Sequence, residues 1–206
     1  MPASDTVLMV IDVQIDFLPG GPLAVKDGDA VIAPINKMMP RFSNIIAAQD
    51  WHPADHFSFA ANHPGKSPFD VVESSYGPQT LWPVHAVQGT PGADFHPDLD
   101  LSRAELVVRK GFRRDIDSYS AFYENDRTTP TGLAGYLRER GFKRVVITGL
   151  ATDYCVGFST LDAAKLGFET HLALDACWGI DIDGSIGKML DQMAALGVTI
   201  TNSEAV

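Results

Sequence analysis

Short apolar runs, mostly rich in Val and Ile, alternate with segments of helical spacing, and this constrains the chain more than any other feature. The runs are Thr6–Ile11, Asn44–Ala48, Glu105–Arg109, Arg144–Thr148, Thr170–Leu174 and a weaker Val198–Thr201. Unbroken runs of this length read as strands buried on both faces, the habit of parallel sheets. Helical patterns lie between them, at about Asp29–Met39, Gly132–Arg140, Asp153–Leu166 and Ser185–Leu196. The alternation predicts right-handed crossovers and an α/β fold: one doubly wound, mainly parallel sheet of about six strands with helices on both faces. Pro34 inside the first helical pattern blurs where that helix starts. A length of 206 residues suits a single domain, 1–206.

Two excursions interrupt the scheme. Residues 49–104 show no clear regular element and are rich in Pro, Gly, His and Asp, and Lys110–Thr131 is a second irregular stretch. Long loops inside a compact domain are usually functional or disordered. Five of the six histidines (His52, His56, His63, His85 and His96) fall in the first excursion. Disorder does not explain that grouping, so the excursion reads as a site. His63 and His96 have loop-like neighbours and take no role.

Charge and cysteines exclude several classes. Lys and Arg number 16 against 26 Asp and Glu, a formal charge of −10, which disfavours sequence-independent binding to nucleic acid or anionic membranes. No apolar run approaches the roughly 18 residues of a spanning helix. The start MPASDTVLMVIDV lacks a basic segment, so no leader peptide is read and a cytoplasmic location is expected. Cys155 and Cys177 then read as thiols rather than a bridge. No G-x-G-x-x-G follows the first run, which argues against a dinucleotide-binding oxidoreductase.

In an open α/β sheet, ligands bind beyond the carboxyl ends of the strands. Asp12 ends the first run, Asp50 and His52 follow the second, and Lys110 follows the third. After the fourth comes the turn Gly149–Asp153, with Cys155 in the first turn of the next helix. Unpaired N–H groups and the helix dipole favour a thiolate there, and a nearby Lys would lower the thiol pKa further. A buried structural thiol is the competing reading for Cys155 and the preferred one for Cys177. Asp12 needs a cation or a thiol as partner if buried. Acid, amine and thiol at one rim form a nucleophilic constellation.

A metal set lies beside it. In an extended segment Asp50 and His52 share a side, and His85 can supply a third ligand from the same excursion. Two imidazoles and a carboxylate suit Zn²⁺, Fe²⁺ or Mn²⁺. His56 reads as a contact to a ligand histidine or to substrate rather than as a ligand. Phe17, Trp82 and Tyr119 could line a flat apolar slot, with core packing as the alternative for the first two.

Five segments carry a resemblance: VIDVQIDFLPGGPLAV, QDWHPADHFSF, LWPVHAVQGTPGADFHPDL, VRKGF and ITGLATDYCV. On these the chain resembles the isochorismatase-like cysteine hydrolases, in their nicotinamidase branch, over nearly its whole length. The resemblance implies a catalytic triad of Asp12, Lys110 and Cys155, and an oxyanion hole from the backbone N–H groups of Ala151 and Cys155. It also implies a non-proline cis peptide at Leu150–Ala151, metal ligands Asp50, His52 and His85, and substrate walls Phe17, Trp82 and Tyr119. The implied activity is hydrolysis of nicotinamide to nicotinate and ammonia through a thioester, in NAD salvage. A divalent ion, zinc foremost with iron or manganese as alternatives, would grip the pyridine nitrogen, and pyrazinamide would also be a substrate. The spacing after His52 leaves His56 without a firm place in that pattern. The partner is then a small molecule, with a homo-oligomer left open. The rival readings are a same-fold hydrolase of another small amide or N-carbamoyl compound, and a non-catalytic metal- or ligand-binding module.

Overall fold

The computed structural model describes residues 2–206. Its sheet is built from β1 (Thr6–Ile11), β2 (Ile45–Asp50), β5 (Leu106–Lys110), β6 (Arg144–Leu150), β7 (Glu169–Trp178) and β8 (Thr199–Thr201), in the order β5-β2-β1-β6-β7-β8. Every pairing in it is parallel. The helices are α1 (Ile32–Met38), α2 (Leu133–Glu139), α3 (Cys155–Lys165) and α4 (Ser185–Ala195).

All six residues of β1 are buried, and alternation sorts them to two cores. Val7, Met9 and Ile11 pack with α2, α3 and α4, while Leu8 and Val10 pack with α1. A run apolar on both faces is what a central strand between two helix layers requires. The chain leaves β1 toward β2 on one side, and β6 pairs on the other. The crevice at this switch point lies at the carboxyl ends of β1 and β6, where such sheets bind ligands.

Three elements differ from the sequence expectation. The first excursion holds a two-stranded antiparallel hairpin, β3 (Val71–Ser74) and β4 (Gly77–Thr80). Strand β7 runs on to Trp178, so Cys177 lies inside it rather than just past it. Asp175 breaks the apolar run, yet its carboxylate accepts from Ser203 N and Oγ, 2.6 Å each, which settles a charge in a strand. Helix α1 begins at Ile32 after a 3₁₀ turn, placing Pro34 in its first turn, where the missing N–H costs nothing.

Candidate active site

Asp12, Lys110 and Cys155 meet in the buried crevice. Lys110 is the last residue of β5, and its side chain is wholly buried. Its Nζ lies 2.7 Å from Asp12 Oδ2 and 2.5 Å from Asp50 Oδ1. It also donates to Ser118 O at 3.1 Å and to Cys155 Sγ at 3.3 Å. Strand register explains the Asp50 contact: Asp50 and Lys110 are direct neighbours across the β2–β5 ladder. Asp12 stands just past β1 in a left-handed conformation (φ 52°), and its Oδ1 has no hydrogen-bond partner among the described residues.

Burial sets the protonation states. It pushes the Asp12 carboxyl up to about 6, against the pull of the Lys110 ammonium. It also lifts the Cys155 thiol well above its ordinary value, and Lys110 only partly opposes this. Burial works against the charge on Lys110 as well, but Asp12 and Asp50 more than reverse it and hold the amine protonated. The resting group is therefore a neutral thiol beside a carboxylate, not the thiolate expected from a helix start and a nearby lysine. Desolvation is the largest influence on the thiol, and the Asp12 and Asp50 carboxylates add to it against the Lys110 ammonium.

Asp50 divides its two oxygens. Oδ1 faces Lys110, while Oδ2 lies 3.5 Å from His52 Nε2 and 3.9 Å from His85 Nε2. One ligand atom from each of these three residues falls within 4.8 Å of the others. His52 Nδ1 lies 2.8 Å from Gly111 O and His85 Nδ1 lies 2.7 Å from Pro83 O. Carbonyls only accept, so each Nδ1 carries a proton, and Nε2 is the atom that each ring, when neutral, would offer a metal. Gly111 (φ 64°) must be glycine, because a Cβ there would strike the His52 ring. Gln14 steadies Asp50 by accepting from its N–H and donating to its carbonyl, both at 2.8 Å. Burial and the neighbouring His52 lower the His85 imidazole to about 4, so it is neutral at pH 7. Burial also depresses His52, but Asp50 more than reverses that. Two buried imidazoles and a buried carboxylate converging in this way fit a divalent cation.

One cavity is lined by Asp12 and Cys155 and also by Asp50, His52 and His85. Phe17, Trp82 and Tyr119 line it, as do Ala151 and Cys155. Trp82 meets Tyr119 and Tyr154 edge-on and donates from Nε1 to Tyr119 Oη at 3.2 Å. The Leu150–Ala151 peptide is cis. The backbone N–H groups of Ala151 and Cys155 have no hydrogen-bond partner among the described residues.

With that geometry, comparison with known proteins is decisive. A family model described as an isochorismatase domain matches residues 6–205. The chain belongs to the isochorismatase family. Within the family it is 52% identical to the nicotinamidase of Acinetobacter baylyi, covering 99% of this chain and 95% of that one. It superposes on an Acinetobacter baumanii nicotinamidase and pyrazinamidase with a TM-score of 0.98 at 51% identity, covering 100% and 99% of the two chains. Yeast nicotinamidase bound to the inhibitor nicotinaldehyde gives a TM-score of 0.89 at 32% identity, covering 96% and 99%. A Pyrococcus horikoshii pyrazinamidase in complex with zinc gives 0.79 at 37% identity, again covering 96% and 99%.

In this member of the isochorismatase family, Asp12, Cys155, Asp50, His52, His85 and the three aromatic residues line one cavity, while Lys110 is wholly buried against Asp12 and Asp50. His56 stands beside them: its ring lies 4.3 Å from that of His52, with Nδ1 2.7 Å from Ser58 Oγ and Nε2 3.3 Å from Ile116 O. Both its nitrogens are thus engaged by protein, although one nitrogen of His56 also lies within 4.8 Å of ligand atoms of His52 and Asp117. Asp117, Tyr154 and Ile180 also line the cavity and had not been singled out. Tyr154 adjoins Cys155 and was legible in principle. Asp117 and Ile180 gave no signal, since only the fold brings their loops to the rim. Gln14, a fully buried amide inside VIDVQIDF, also belongs to the site through its two hydrogen bonds to Asp50.

Proposed function

We propose that the protein hydrolyses nicotinamide to nicotinate and ammonia, with Cys155 as nucleophile, and that residues 1–206 form one domain serving that reaction. The supporting observation is Lys110, which touches Asp12, Asp50 and Cys155 at once and so ties the proton-transfer pair to the metal set. Asp12 takes the Cys155 proton as sulfur bonds to the amide carbon, so no free thiolate is needed beforehand. The carbonyl oxygen becomes an oxyanion facing the N–H groups of Ala151 and Cys155; one such donor is worth about 3 kcal/mol of barrier. Asp12 returns the proton to the departing nitrogen, which leaves as ammonia. Asp12 then deprotonates a water that attacks the thioester, and the restored thiol leaves nicotinate. Phe17, Trp82 and Tyr119 hold the ring in its slot.

Asp50, His52 and His85 would hold a divalent ion, zinc as we read it with iron or manganese fitting the same donors. When bound, that ion supplies a Lewis-acid site for the ring nitrogen, turning the carboxamide toward the thiol. The same ring pattern makes pyrazinamide a second substrate. No helix among the described residues is long and apolar enough to cross a membrane. Two free buried thiols suit a reducing compartment such as the cytoplasm.

The test is ammonia release from nicotinamide, pyrazinamide and benzamide, with metal analysis of the same sample. Turnover of the first two with benzamide at least about tenfold slower is expected. No ammonia from nicotinamide would overturn the activity. Equal rates with benzamide would overturn the role of the ring nitrogen.

A further inference from the structure

Asp153 stands two residues before the nucleophile, and its side chain does not cap α3. It is buried, and its carboxylate accepts three hydrogen bonds from a single distant loop. Oδ1 accepts from Ile180 N at 3.0 Å, and Oδ2 accepts from Asp181 N at 2.8 Å and from Ser185 Oγ at 2.5 Å. That loop has little regular backbone pairing of its own. Asp181, Asp183 and Gly184 all have left-handed φ, and the N–H groups of Ile180 and Asp181 have no other partner among the described residues. Gly179 marks how closely the two segments approach. A Cβ there would lie 2.9 Å from Asp153 Oδ1 and 2.6 Å from Ile186 Cδ1. The loop matters because Ile180 is a wall of the catalytic cavity, facing the same space as Cys155 and Phe17.

From this we infer that Asp153 is a positioning residue: it sets the Ile180 wall from the nucleophile's own turn, so slot width and sulfur position are fixed together. Carboxylate bonds to backbone N–H groups are among the stronger hydrogen bonds, and here they replace the ladder the loop lacks. Without them the loop would sample open states and the ring would lose one side of its slot. Asp153 touches no reacting atom. Its effect passes through Ile180.

The inference rests on the nicotinamidase reading only for its kinetic readout, and a second readout is free of it. Asp153→Ala, Ile180→Ala, the double variant and Asp153→Asn would be compared with wild type, all metal-loaded. Asp153→Ala removes all three bonds and should raise KM for nicotinamide at least about tenfold, with a smaller change in kcat. A partly unfolded sample lowers apparent kcat but not KM, so this split separates positioning from mere stability. Ile180→Ala should raise KM similarly, and the double variant no further than the larger single effect. Asp153→Asn keeps one acceptor and should fall between wild type and Asp153→Ala. An unchanged KM in Asp153→Ala, or fully additive effects in the double variant, overturns the inference. Should wild type show no turnover of nicotinamide, the functional reading fails, and amide exchange decides the clamp alone. Exchange at Ile180 and Asp181 at least about tenfold faster in Asp153→Ala than in wild type supports it, and equal rates overturn it.

Discussion

Replacing Lys110 by Met removes the ammonium beside Asp12 while nearly keeping the side chain's volume. In wild type the buried Asp12 carboxyl titrates at about 6, against 3.8 when exposed. A raised native pKa means that the folded state holds a proton the unfolded chain has released, so this group costs stability as pH rises from 3.8 to about 6. Above that the cost is constant, because both states are ionised. Without Lys110 the attraction that holds Asp12 down is gone, and its native pKa moves to higher pH. Asp50 keeps His52 and His85 beside it, so Asp12 is the carboxylate left alone. The stability gap between wild type and Lys110→Met should therefore widen above pH 6. Its slope is at most about 1.36 kcal/mol per pH unit, so the widening is at most about 2.7 kcal/mol by pH 8. For a chain of this size that ceiling is a Tm gap growing by roughly 5–11 °C. The assay is thermal unfolding followed by circular dichroism in a series of buffers from about pH 6 to about pH 8, with a single ionic strength throughout. The double variant Asp12→Asn/Lys110→Met has no carboxyl to titrate, and its gap should not widen. A gap independent of pH in the single variant, or widening equally in the double, would refute the electrostatic account of this pair.

Other outcomes follow from the same geometry. Cys155→Ala should lower kcat by about 10⁴-fold or more while metal content and Tm stay near wild type, read by ammonia release and metal analysis. Because Asp12 must start ionised and titrates at about 6, kcat/KM should fall about tenfold per pH unit below that point. Burial holds the Cys155 thiol well above its usual range, so kcat/KM should stay flat from about pH 7 to 9, and a thiol-like rise there would contradict the assignment. His85→Ala should lose bound metal and raise KM for nicotinamide by about tenfold or more, with Cys155 alkylation by iodoacetamide still observed.

The sequence carried the scaffold well because its strands are apolar on both faces and its helices keep their spacing. It lost elements where polar side chains broke the pattern for reasons of tertiary contact. Asp175 cut β7 short on paper, although in the fold it meets Ser203. The hairpin at 71–80 was missed because its strands are four residues each and β4 contains Pro78. Site residues were legible as types at the ends of runs. Their partnerships were not, since the Lys110–Asp50 contact depends on register between strands 60 residues apart. The burial that lifts the Cys155 thiol was not legible for a related reason. Helix position and nearby charge can be read locally, but the depth of burial is a property of the assembled layers.

The ladder neighbours Asp50 and Lys110 place the cation cradle and the proton machinery on a single rung. A shift of either strand by one residue would swing one of them to the opposite helix layer and dismantle both functions together. Phe17, Trp82 and Ile180 line the slot from outside the sheet strands, so their replacement leaves that rung in place.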